Sequence, residues 1–199
     1  MATKEDILEQ IVEEYLIHKG YFVRHNLKFL PRQDHAQFIK NKHSNHSDID
    51  VIGIHPRLTG IDKVIVVSCK SWQDGFNPAS EIRMIAEKKK ARGREAWKSF
   101  RELVEPIWSE AFMKAVHEAT GTDRFVYMTA VSKLSGDRLV WENHQPFQDA
   151  IGGNPVKIIT FREMALDINK NLTKTLASTE VGRLLQMFKA AGIEIASGK

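Results

Sequence analysis

Apolar residues first recur at helical spacing. Ile7, Leu8, Ile11, Val12, Tyr15 and Leu16 form one stripe and predict a helix over residues 4–19. Thr3 suits its N-cap, and Gly20 the position just past its end. A strand is expected from Tyr21 to about Leu30, halted by Pro31. Residues 32–47 are polar and rich in His and Asn, which reads as a loop with a short strand at 36–40. Two apolar segments follow, 48–54 and 62–71, and their link carries the turn residues Pro56 and Gly60. They predict a hairpin.

Beyond Pro78 the spacing turns helical over residues 79–120, interrupted at Gly93 and Pro106. Trp97, Phe100, Leu103, Ile107, Trp108, Phe112 and Val116 supply its apolar face. A strand over 124–131, a helix over 142–150 and a strand over 155–160 come next. Thr160 is placed to cap a helix over 161–168, and a last helix over 179–191 stops before Gly192. The expectation is one α/β domain, with a core of residues 5–72 and 123–168, a helical insertion at 79–120 and a C-terminal helix at 179–191.

The chain has 199 residues, enough for a domain with a real core, and its apolar and charged fractions are those of ordinary soluble proteins. No apolar run approaches the length of a membrane span, and the N-terminal Met1-Ala-Thr-Lys-Glu-Asp is unlike a signal peptide. The single cysteine, Cys69, forms no internal disulfide, which fits a reducing cytoplasm. Net charge is +4, but its distribution says more. From Arg83 to Arg101, eight basic residues face two acidic ones, so this stretch carries +6 and the rest of the chain −2. Such a stripe can neutralise phosphates or simply solvate a helix face. Arg94, Lys98 and Arg101 share a face at helical spacing and are the better candidates for backbone contacts with a nucleic acid. Lys88, Lys89 and Lys90 are consecutive and cannot all point one way. Trp97 and Phe100 read as core, and Trp72 equally as core or site edge.

The candidate chemistry lies in the hairpin. In Ser47-Asp48-Ile49-Asp50-Val51-Ile52, alternation puts Asp48 and Asp50 on one face. In Val64-Ile65-Val66-Val67-Ser68-Cys69-Lys70 it does the same for Ser68 and Lys70. A hairpin centred on Thr59 sets Asp50 opposite Ser68. Lys70 ends an apolar run that would not tolerate an unpaired ammonium, so it reaches solvent or a carboxylate. Carboxylates that hold Mg²⁺ and a nearby cation suit phosphodiester hydrolysis, which needs an activated water and positive charge on the phosphoryl group. His43 and His46, three residues apart beside Asp48, offer imidazoles without an evident third ligand. A serine-hydrolase triad lacks its Gly-x-Ser-x-Gly elbow.

These residues and their order resemble the PD-(D/E)xK nuclease superfamily, and most of all the archaeal Holliday-junction resolvase and related restriction and repair nucleases. The resemblance covers residues 5–72. It implies a restriction-endonuclease-like fold, a central mixed sheet flanked by helices. It further implies metal binding at Asp50, lysine catalysis at Lys70 and a helix-borne glutamate about eleven residues before a Gly-aromatic pair. Gly20-Tyr21 is that pair, which puts Glu9 in register and Glu13 one turn on. The implied activity is a Mg²⁺-dependent (or Mn²⁺-dependent) DNA endonuclease, with DNA as partner and a homodimer as the common assembly. Ser68 departs from the pattern, which wants a carboxylate there. A serine hydroxyl is a far weaker Mg²⁺ ligand. Either Asp48, Glu9 or Glu13 compensates, or the chain is a degenerate nucleic-acid-binding module, or it is a protein-interaction component of a restriction, defence or repair system.

Overall fold

In the computed structural model, which describes residues 6–193 except Lys174 and Ser178, helix α1 runs Ile7–His18 and is capped by Asp6. The Leu8 N–H donates to Asp6 Oδ1 at 2.7 Å. Thr3, the expected cap, lies outside the described residues. Gly20 leaves the helix at φ +89°, a conformation glycine holds without steric cost. Strand β1 (Phe22–Phe29) follows and stops short of Pro31. The polar loop after it holds one helical turn, α2 (Lys40–His43), where a short strand was expected. A local bond decides this. His43 Nδ1 accepts the Ile39 N–H at 2.9 Å and closes the turn, while its ring sits edge-on to Trp108.

Strands β2 (Ser47–Ile54) and β3 (Val64–Lys70) form the hairpin, joined through a 3₁₀ turn at Gly60–Lys63. Val51 pairs with Val67 and Ile54 with Val64, so Asp50 falls opposite Ser68, as the alternation predicts. After Pro78 the expected long helix breaks up. Helix α3 (Pro78–Ala86) is followed by a two-residue hairpin, β4 (Lys90–Ala91) and β5 (Arg94–Glu95), then a 3₁₀ turn at Ala96–Ser99, α4 (Arg101–Val104) and α5 (Pro106–Thr120). Tertiary contacts override helix propensity here. Lys88, Arg92 and Gly93 all take positive φ. The Arg92 guanidinium lies 3.4 Å from the Trp72 ring centre and 2.8 Å from Glu81, which ties the hairpin to α3.

Strand β6 (Val126–Val131), the short helices α6 (Leu139–Glu142) and α7 (Gln145–Ala150), and β7 (Val156–Thr160) complete the sheet. Helix α8 (Phe161–Asn171) begins with a full Thr160–Glu163 capping box, and α9 (Glu180–Ala190) is capped by Thr179. The result is an α/β fold with a five-stranded mixed sheet in the order β1-β2-β3-β6-β7. Its first three strands run antiparallel and its last three parallel. Among the described residues no helix is long and apolar enough to cross a membrane.

Each face of the sheet buries its own core. On one, α1, α8 and α9 cover Val51, Val67, Ala130 and Ile159. On the other, the insertion and the α6–α7 segment cover Ile52, Val64, Val66 and Tyr127, with Trp108 and Trp141 fully enclosed. Truncating either tryptophan to alanine removes enough buried surface to cost about 3–5 kcal/mol. Strict alternation fails at one place. Asn26, at φ 51°, faces Asp50 across the β1–β2 ladder. Val23 packs with the α1-side core but Leu27, four residues on, with the other. Asn tolerates this left-handed backbone better than most residues. Asp50 therefore sits where the outer strand pair turns over.

Candidate active site

A cavity of about 240 Å³ opens beside the end of β3, on the face covered by the insertion. The hairpin contributes Ser47, Asp48, Asp50, Ser68 and Lys70, and the loop before it contributes His46. From the insertion come Arg94 on β5, Lys98 and Ser99 in the 3₁₀ turn, and Arg101 and Glu102 on α4. Asp50, Ser68, Lys70 and Asp48 thus converge as expected, although Ile49 between the two aspartates packs into the insertion-side core and alternation alone does not place Asp48. Arg94, Lys98 and Arg101 converge as well, although no continuous helix carries them. The bend between β5 and α4 brings together what helical spacing was expected to align.

Asp50 Oδ2 accepts the Cys69 N–H at 2.6 Å, which fixes the carboxylate across the hairpin. Burial pushes its carboxyl above the ordinary range, while Lys70 and the Cys69 N–H pull it back and Asp48 and Asp6 add to the rise. Lys70 Nζ donates to Ser68 Oγ at 2.7 Å and stands 5.1 Å from the Phe100 ring centre. The Tyr127 hydroxyl donates to Glu102 Oε1. Two polar pairs, Lys70 with Ser68 and Tyr127 with Glu102, thus interrupt an otherwise apolar wall. Burial raises the Glu102 carboxyl too, and Asp50 pushes the same way against Lys70 and the Tyr127 bond. Arg101 lies over the Trp108 ring at 4.8 Å, and burial lowers its guanidinium from the usual value.

Sequence reasoning missed Glu102. It lies between Phe100 and Leu103, inside a stripe that packs into the core, and a carboxylate in an apolar stripe was the available signal. Other candidates fall elsewhere. Glu13 pairs with His25 at 3.3 Å, and neither it nor Glu9 lines the cavity. The charge of Glu9 bears instead on the Cys69 thiol, which burial pushes well up and which packs toward the α1 side of β3. Helix α1 lies on the opposite face of the sheet from Ser68 and Lys70, which is why its glutamates do not enter from that side. Lys89 pairs with Glu87 at 2.6 Å, Lys90 is exposed on β4, and Lys88 lines a neighbouring cavity. His43 is buried with Nδ1 engaged by backbone, so it makes no ligand pair with His46. Trp72 stacks on Phe76 as core.

Among the described residues, no three His, Cys, Asp or Glu side chains stand close enough to cage a metal ion. Half-buried Asp50 and buried Glu102 nonetheless supply two hard-oxygen donors, with Lys70 acting on both and Arg101 on Glu102. Mg²⁺ is commonly held by one or two carboxylates, completed by water and substrate phosphate, so this donor set fits it. Compared with protein-family models, with curated proteins and with solved structures, the chain matches none.

Proposed function

We propose that the chain is a Mg²⁺-dependent nuclease of the PD-(D/E)xK type, with a restriction-endonuclease-like core, that hydrolyses phosphodiester bonds in DNA. One observation carries this reading: Asp50, Lys70 and Glu102 line a single cavity with Arg94, Lys98 and Arg101 around it. Two acids and a lysine are the chemistry of phosphodiester hydrolysis, and the three further cations match a polyanion. The carboxylate absent at Ser68 is supplied by Glu102, which reaches the same place through the Tyr127 bond.

Asp50 and Glu102 would hold Mg²⁺ or Mn²⁺, with Asp48 at the more exposed mouth. Such an ion, when bound, lowers the pKa of a coordinated water and neutralises phosphoryl oxygens. The chain's own groups do the rest. Lys70, steered by its bond to Ser68, presents a fixed ammonium where charge develops on the phosphate. Arg101 offers a planar fork that Trp108 keeps from collapsing, and Arg94 and Lys98 add charge at the rim.

The lack of a three-ligand cluster among the described residues favours a second reading, a DNA-binding module that does not cut. Cleavage of plasmid, single-stranded and branched DNA with Mg²⁺ or Mn²⁺ separates the two. Metal-dependent cleavage that falls at least 100-fold in both Lys70→Ala and Glu102→Gln is the expected result. No parental cleavage on any substrate, with salt-dependent binding retained, would leave the binding module. Activity arising only in Ser68→Glu would show that Glu102 does not replace the missing acid.

A further inference from the structure

Next to the catalytic cavity lies a second one of about 250 Å³, and Lys98 and Arg101 line both. An anion held in one is therefore next to the other. The second cavity adds Lys42 and Lys88, so that with Lys98 and Arg101 four cations face two acids in its wall. Glu95 is already held at 2.7 Å by Lys98, leaving Glu105 as the second carboxylate in the wall. Its remaining lining is of another kind. Trp97 is half-buried, packed against the core and part of the cavity wall, with Lys98 Nζ 5.6 Å from its ring centre. Asn41 and Asn45, on the loop between β1 and β2, contribute side-chain amides that can donate and accept.

We propose that this side cavity takes one unpaired nucleotide adjacent to the phosphate in the main cavity, with Lys42 and Lys88 on its phosphate and its base against Trp97. The proposal rests on the nuclease reading for the polyanion itself, and goes beyond it in naming the form of the strand. A duplex backbone needs a surface track of cations, which Arg94, Lys98 and Arg101 already provide. A recess that combines cations, an aromatic wall and two amides has what an unpaired base requires: a stacking partner and groups for its edge. The loop of residues 40–46 and the β4–β5 hairpin, one on each side, would close on that nucleotide.

The test is binding by fluorescence anisotropy of a labelled single strand and of a blunt duplex of equal length. Ca²⁺ replaces Mg²⁺, and a gel verifies that the strands stay intact. Trp97→Leu is expected to weaken the single strand about tenfold, the loss of one stacked base, and the duplex less than twofold. Trp97→Phe should restore most of the affinity. Lys42→Ala with Lys88→Ala, both at exposed positions, should lower the salt slope of single-strand binding by about one to two. Equal losses on both substrates, or no loss on either, would overturn the subsite while leaving the nuclease reading in place. A parent protein that binds neither substrate would overturn that reading first, and the subsite with it.

Discussion

Two buried glutamates occupy comparable positions on opposite faces of the sheet and are treated differently by their surroundings. At the α1–α9 junction, Glu14 is 2% exposed and fully engaged. Its Oε2 accepts the Thr179 N–H at 3.1 Å and the Thr179 hydroxyl at 2.8 Å, and its Oε1 lies 3.2 Å from His18. In the cavity, Glu102 is 7% exposed, bonded to a neutral phenol, and burial pushes its carboxyl up. Glu142, with Lys157 and the Ile158 N–H, follows the pattern of Glu14. A carboxylate that serves the fold is given donors. One left under-compensated beside a cavity and a lysine is kept for another partner, at a cost to stability.

Exchanging the two glutamates' roles is the sharpest way to break that contrast. Glu102→Gln keeps the Tyr127 contact and should lower DNA cleavage at least 100-fold, whereas Glu14→Gln should leave the cleavage rate within about twofold. The contrast fails if both variants lose activity alike. The next effect in size is on stability. Glu14→Ala leaves the Thr179 donors buried without an acceptor, which costs about 1–3 kcal/mol and should lower Tm by several degrees in thermal unfolding.

A smaller effect of opposite sign is expected in the metal-free protein. A carboxyl raised by burial holds its proton more tightly folded than unfolded, so its ionisation weakens the fold. That penalty is complete at a pH above the folded-state value and absent below the ordinary carboxylate range. Asp50→Asn and Glu102→Gln should therefore raise Tm by a few degrees at pH 7, with the gain fading as the pH falls. A loss of Tm at pH 7 would assign both acids to the fold. Smallest of all, Lys89→Ala removes an exposed pair with Glu87 and should leave stability and DNA affinity unchanged within error.

The hairpin was legible because its register is fixed by alternation. Once Val51 and Val67 are required inside, Asp50 and Ser68 have no freedom to slip. The cap at Thr160 was legible for a similar reason, being a local bond written within three residues. The insertion was not. Its sequence favours helix, and the positive φ values at Lys88 and Arg92 depend on partners elsewhere in the chain, such as Trp72 and Glu81 for Arg92. Arg94, Lys98 and Arg101 share no helix face and still meet in one place, because the chain bends between β5 and α4. Glu102 could not be assigned without knowing that Tyr127 and Lys70 stand opposite it, and that contact is made only by tertiary packing.

Glu102 arrives on a segment separate from the strands that carry Asp50 and Lys70. Hairpins form early because their loops are short, while docking the segment of residues 101–104 must close a longer loop and await β6. A chain caught partway, during synthesis or after local opening of the insertion, would hold one acid and the lysine without the second acid. On the proposed chemistry such a species cannot cut. The capacity to cleave would then be the last property gained on folding and the first lost on fraying, which would guard a cell's own DNA against half-built copies of the chain.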